Sequence, residues 1–208
     1  MSANVSHSAL VVSAARSMRI TLPTILTLFR IALLPVMIIV FYAPFKGANI
    51  AASAVFVAAA LTDWLDGWIA RRYGLTSAFG AFLDPVADKL MVAVTLFLIV
   101  QDNPTIPLAV ISAVIVGREI TISALREWMA EIGERARVRV AGIGKIKTIA
   151  QLVALVVLLY QKDLNGLGLF HVGEVLLAFA AILTIWSGVV YLLAAWPVLR
   201  SAKPPPAA

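Results

Sequence analysis

An all-α integral membrane protein built from six helices is the fold class this sequence predicts, and three observations predict it. The chain is 62% hydrophobic and only 13% charged over 208 residues, with a mean hydropathy of +0.96. That charged fraction is about half of what a soluble domain carries. Apolar stretches long enough to cross a bilayer, which takes about 20 residues each, recur between short breaks of turn residues. The charges that do fall inside those stretches collect at one end of each.

Taken in order, residues 1–18 show little periodicity and place Arg16 after the apolar run Ala9 to Ala15. That is the reverse of a signal peptide's charge order, so this segment reads as a flexible or interfacial leader. The six-helix domain covers residues 19–200, with expected spans at Leu22–Ala43, Ala48–Ile69, Phe82–Val100, Ile106–Met129, Ile146–Tyr160 and Val175–Val198. The breaks carry Pro44 with Gly47, Gly74, Asn103 with Pro104, Gly142 with Gly144, and Asn165 with Gly166, all residues that interrupt helices. Residues 201–208, with three prolines, read as a disordered tail. No internal repeat is evident.

Composition also excludes several chemistries. There is no cysteine, so disulfides, thiolate metal sites and lipidated cysteines are ruled out. His7 and His171 are the only histidines and lie far apart in sequence, which argues against an imidazole-based zinc site. Any metal must be held by oxygen. The net charge of +6 does not indicate nucleic acid, because basic residues in a membrane chain mark cytoplasmic loops and anionic headgroups.

Six spans put both termini on one side. Lys46 and Lys162 alone fall at span ends facing the other way, while Arg71, Arg72, Arg135, Arg137, Arg139, Lys145, Lys147, Arg200 and Lys203 share the side of the termini. The positive-inside rule makes that side cytoplasmic. Arg30, Asp63, Asp66, Asp84, Asp88, Lys89, Arg118, Glu119 and Arg126 fall in the same half of their spans. A charge at the centre of a membrane helix costs about 2.5 to 3.5 kcal/mol on insertion scales, so scattering these would be intolerable. Gathered at one depth, they can line a shared wet cavity.

The densest acidic segment runs T-D-W-L-D-G-W-I-A-R-R-Y-G-L-T-S-A-F-G-A-F-L-D-P-V-A-D from Thr62 to Asp88. Asp63 and Asp66 are three apart and Asp84 and Asp88 four apart, so each pair projects from one helix face. Two facing helices would bring four carboxylates together, and their repulsion calls for a cation. Carboxylates without His or Cys favour a hard ion, Mg²⁺ or Mn²⁺, of the kind that neutralises substrate phosphates. Gly67 and Gly80 permit close approach of backbone to ligand, and Arg71 offers a forked donor suited to a phosphate. Structural readings compete: Asp84 before Pro85 is a good helix N-cap, and Gly67 suits helix packing.

The full spacing, Asp63-x-x-Asp66-Gly67-x-x-Ala70-Arg71, eight residues, then Gly80-x-x-x-Asp84-x-x-x-Asp88, resembles the signature of the CDP-alcohol phosphatidyltransferase family. The runs Pro23 to Arg30, Arg118 to Ala130 and Gly144 to Thr148 extend the resemblance, which reaches from about Leu22 to Trp196. It implies a six-helix membrane enzyme, a homodimer, with its site at the cytoplasmic face of the bacterial inner membrane. It further implies Asp63, Asp66 and Asp84 as metal ligands, Asp88 as ligand and general base, and Gly67, Arg71, Ser77 and Gly80 at the CDP moiety. Many members carry Asn where this chain has Thr24, a departure that falls on the nucleotide side of the first span.

The reaction implied is attack of the sn-1 hydroxyl of glycerol 3-phosphate on the lipid-bearing phosphorus of CDP-diacylglycerol, giving phosphatidylglycerol phosphate and CMP. The acceptor phosphate needs cations of its own. Arg118, Lys145 and Lys147 are the first candidates, with Arg126 and Arg30 behind them. Lys145 and Lys147 point about 200° apart on a helix, and snorkelling to headgroups is the competing reading, more so for Lys147 than for the deeper Arg118. Inositol phosphate or serine are alternative acceptors for the same chemistry. A cation transporter is the rival from another class, but the charges offer no polar path to the opposite face and nothing resembles paired broken helices. An aspartate-rich polyprenyl-diphosphate enzyme would leave the glycines and the Ala70-Arg71 step unexplained.

Overall fold

The computed structural model describes residues 21–74, 77–132, 143–161 and 168–201. The expected leader at 1–18 and the tail beyond Ser201 lie outside the described residues. Six helices follow in order: α1 Leu22–Tyr42, α2 Ala48–Tyr73, α3 Ala78–Asp102, α4 Ile106–Glu131, α5 Ile143–Tyr160 and α6 Leu169–Ser201. Their ends follow local chemistry. Thr21 precedes α1 in an extended conformation, with Pro23 in the first turn, where a missing N–H is harmless. Gly74 closes α2 at φ +64°, a left-handed conformation that a side chain would resist. The Thr105 hydroxyl accepts the Leu108 N–H at 3.4 Å ahead of α4.

Two helix starts differ most from what the sequence predicts: α6 begins at Leu169 where Val175 is expected, and α3 at Ala78 where Phe82 is expected. The competing reading of Asp84 before Pro85 as a helix N-cap does not hold, since Pro85 lies inside α3. Proline within the helix removes the hydrogen bond that the Ala81 carbonyl would otherwise accept, and the first two turns carry the chain past that interruption.

Among the described residues four helices are long and apolar enough to cross a membrane: Leu22–Tyr42, Ala48–Tyr73, Ile106–Glu131 and Leu169–Val198. In α5 the apolar stretch Ile146–Tyr160 is shorter. The α3 helix dilutes its apolar character with Asp84, Asp88 and Lys89. Only 22 to 33% of the apolar window in these four helices is buried. Ile39, Ile106, Val175 and Leu193 are among the large apolar side chains that face outward. Water would not tolerate so much exposed apolar surface, whereas hydrocarbon would. The chain is a multi-pass, all-α membrane protein.

Two compact units divide after Leu98. In the first, α1 packs along α2 through small and medium residues, with Met37, Ala52, Phe56 and Ala59 fully enclosed. In the second, α6 packs against both α5 and α4. Gly173 is essential to that contact, because a Cβ there would meet Leu158 Cγ at 2.8 Å. Met129, Ala195 and Val198 close the end of the α4 and α6 contact.

Candidate active site

Helix α1 buries Pro23, Thr24, Thr27, Arg30, Leu34 and Met37, a stripe at helical spacing whose first half is polar. Those polar residues meet the acidic segment. The Arg30 side chain is only 2% exposed, and its Nη1 lies 2.9 Å from Asp63 Oδ1. The same nitrogen also donates to Asp88 Oδ1, while Nη2 donates to Asp66 Oδ2. One guanidinium thus gathers two carboxylates from α2 and one from α3. The fourth, Asp84, accepts from the Thr27 hydroxyl, which also lies 3.1 Å from the Pro23 carbonyl. A single hydroxyl proton serves one of those acceptors at a time.

Beside Asp84 lies a cavity of ≈ 70 Å³ whose lining includes Thr21, Thr24, Ala70, Ser77 and Gly80. Its hydroxyls are linked: Thr24 Oγ1 is 3.0 Å from Thr21 Oγ1 and 2.9 Å from Ser77 Oγ, and the Gly80 N–H donates to Ser77 Oγ at 3.0 Å. Gly80 has to be glycine here. A Cβ would come within 2.9 Å of Thr24 Oγ1 and 3.0 Å of Ser77 Oγ. Gly67 serves its own helix partner, since a Cβ would meet Arg71 Nη1 at 3.1 Å. The Arg71 guanidinium therefore lies back across Gly67 at the exposed end of α2.

The donor set at Asp63, Asp66, Asp84 and Asp88 is oxygen alone, and three of its members already converge on one cationic group. In identity this donor set suits a hard divalent ion. The side chains of Asp63 and Asp88 are 47% and 50% exposed, so the cluster is open on one side while Arg30 fills the other. Among the described residues no group of three or more His, Cys, Asp or Glu side chains is arranged to hold a metal by itself.

Family comparison confirms what the motif suggests. The family model described as CDP-alcohol phosphatidyltransferase matches residues 20–186, most of the chain. The chain belongs to the CDP-alcohol phosphatidyltransferase family. Among this family's members, a protein of Sodalis glossinidius (strain morsitans) is 49% identical over 180 residues, 86% of this chain and 96% of its own length. One from Yersinia pestis (strain Pestoides F) is 51% identical over 180 residues, covering 86% and 97%. A third, from Pectobacterium atrosepticum, is 50% identical over 178 residues, covering 86% and 96%. All three bear the name CDP-diacylglycerol--glycerol-3-phosphate 3-phosphatidyltransferase.

The second unit of this phosphatidyltransferase holds the other predicted charges. Arg118 on α4 donates from Nη2 to Ser187 Oγ on α6 at 2.6 Å, and Ser187 donates in turn to the Thr184 carbonyl at 3.0 Å. Glu119 lies 3.7 Å from Arg118 Nη1 and accepts from Lys147 Nζ on α5. Lys147 is buried, its side chain 6% exposed, whereas that of Arg118 is 17% exposed. The competing snorkelling reading does not suit Lys147, which Glu119 holds inside. Arg126 is exposed on α4, and the Lys145 side chain lies outside the described residues.

Arg30, expected behind Arg118 as an acceptor contact, stands instead among the aspartates. Thr24, Thr27 and Arg30 recur every three residues in an otherwise apolar helix, a spacing from which one polar face could have been read but was not. Glu119 was visible as a charge without a role. Ser187 left no signal, since a lone hydroxyl in an apolar helix is ordinarily bonded to its own backbone.

Proposed function

We propose that the protein transfers the phosphatidyl group of CDP-diacylglycerol to the sn-1 hydroxyl of glycerol 3-phosphate, giving phosphatidylglycerol phosphate and CMP. The observation that carries this reading is identity of about half over nearly the full length of relatives bearing that name. The charge pattern supports it independently. An oxygen-only acidic cluster suits a metal and diphosphate, and a cationic cluster suits an anionic acceptor.

In this reading Asp63, Asp66, Asp84 and Asp88 hold divalent metal, Mg²⁺ or Mn²⁺, which when bound offsets the charge of the diphosphate and of the departing CMP. The cavity beside Asp84, with Gly67, Arg71, Ser77 and Gly80, receives the CDP moiety. Asp88, half-exposed at the open side of the cluster, takes the proton from the acceptor hydroxyl. The sn-1 oxygen forms a bond to the lipid-bearing phosphorus as the bond from that phosphorus to the CMP oxygen breaks. Arg118 and Lys147, with Lys145 and Arg126, bind the acceptor's phosphate. Arg30 is not in that set, because its guanidinium is engaged by three carboxylates.

The positive-inside pattern supports a site and both termini facing the cytoplasm of the bacterial inner membrane, and the family resemblance supports a homodimer. The test is CMP release by the purified protein with CDP-diacylglycerol and a panel of acceptors. Glycerol 3-phosphate should turn over, glycerol, serine and inositol phosphate should not, and excess EDTA should stop the reaction. Equal turnover of unphosphorylated glycerol, or full activity in EDTA, would overturn the assignment.

A further inference from the structure

The mechanism above leaves one buried charge unused. Arg30 is 1% exposed, lies in a helix otherwise suited to crossing a membrane, and touches three of the four aspartates. We infer that Arg30 is a positioning residue that assembles the metal-binding carboxylates from their buried side. The inference rests on the reading of these aspartates as metal ligands.

Three features of the geometry support it. The first is connectivity: Nη1 bridges Asp63 on α2 and Asp88 on α3, while Nη2 takes Asp66, so a single planar fork fixes the two acidic helices relative to each other. A lysine, with one nitrogen, lacks that fork. The second is direction. Asp66 is 4% exposed and sits with Arg30 inside, whereas Asp63 and Asp88 are half open to the outside. An ion arriving from the open side meets Asp63 and Asp88 first, with Arg30 behind them. The third is charge. One guanidinium against four carboxylates leaves the cluster strongly negative, so Arg30 reduces the repulsion that would splay the aspartates without removing the attraction for a divalent ion. Arg30 Nε is buried without a partner, so the guanidinium is oriented by the carboxylates alone.

The sign of one substitution tests this. Coulomb's law alone says that removing a positive charge beside a cation site tightens metal binding. A positioning role says the reverse, because Arg30→Gln leaves three repelling carboxylates with nothing to gather them. The full-length protein in detergent, stripped of metal, is titrated with Mn²⁺ and free Mn²⁺ is followed by electron paramagnetic resonance. Arg30→Gln should bind Mn²⁺ about ten-fold more weakly or worse, within the usual range of coupling between neighbouring groups. Arg30→Lys keeps the charge without the fork. It should fold, recover only part of the affinity, and need more Mn²⁺ for half-maximal turnover at unchanged KM for glycerol 3-phosphate.

Arg30→Gln binding Mn²⁺ as tightly as the wild type, or more tightly, would overturn the inference. Should Arg30→Gln not fold, wild-type Mn²⁺ affinity in Arg30→Lys would overturn it equally. A raised KM for glycerol 3-phosphate with Mn²⁺ affinity intact would return Arg30 to acceptor binding. Absence of Mn²⁺ binding by the wild type would instead remove the metal reading itself.

Discussion

In the first unit one arginine serves three carboxylates, and in the second one glutamate serves two cations. The Arg30 cluster is left short of positive charge and the Glu119 cluster short of negative charge. Each internal counter-ion is too small to neutralise its neighbours, so each cluster is a standing demand for an external ion of defined sign. Burial divides them too. The first cluster is sealed beneath at Arg30 and open at Asp63 and Asp88, whereas the second seals Lys147 and leaves Arg118 and Glu119 partly exposed. A chain that needed its charges only to satisfy one another would balance them. An imbalance kept at two places, with opposite signs, is what a transferase needs for a metal-bound diphosphate and an anionic acceptor.

The largest effect should come from breaking the acidic side. Asp66→Asn removes a carboxylate that is buried against Arg30, and turnover should be lost while helix content measured by circular dichroism persists. Asp88→Asn keeps the shape but not the base, and kcat should fall about 10² to 10⁴-fold, the usual worth of general base catalysis. Retained kcat in Asp88→Asn would assign the proton transfer to another group.

Breaking the cationic side should give a smaller and differently placed effect. A charge-assisted contact contributes about 1.5 to 3 kcal/mol, so Arg118→Ala should raise the KM for glycerol 3-phosphate about ten- to one-hundred-fold and leave that for CDP-diacylglycerol nearly unchanged. A larger change in the CDP-diacylglycerol KM would show that the two clusters do not divide the substrates as proposed. Smallest of all, Ser187→Ala deletes one hydrogen bond to Arg118, worth about 0.5 to 1.5 kcal/mol. It should raise the same KM a few-fold with no change in metal requirement.

These two clusters were unequally legible in the sequence. The acidic one announces itself because its spacing repeats the helix period twice, so the intervals alone put Asp63 with Asp66, and Asp84 with Asp88, on shared faces. Helix extents were legible for a similar reason, since hydropathy breaks sharply at Gly47, Gly74 and Pro104. The starts of α3 and α6 were less so, because Ala78 to Ala81 and Leu169 to Glu174 are helical stretches with glycine or polar residues that weaken the apolar signal. Arg30 was misplaced because burial in a helix says nothing about partners. The three aspartates that hold it lie on two other helices, more than thirty residues away in sequence. Ser187 was invisible for the same reason, its partner Arg118 being 69 residues distant.

The central claim is that the acceptor's own oxygen attacks the lipid phosphorus, and isotope placement tests it most directly. Glycerol 3-phosphate carrying ¹⁸O at the sn-1 hydroxyl is incubated with CDP-diacylglycerol and the purified protein, and both products are weighed by mass spectrometry. The account predicts phosphatidylglycerol phosphate that retains the label, and unlabelled CMP in equal amount. Label in CMP, or a phosphatidyl product without it, would contradict the account.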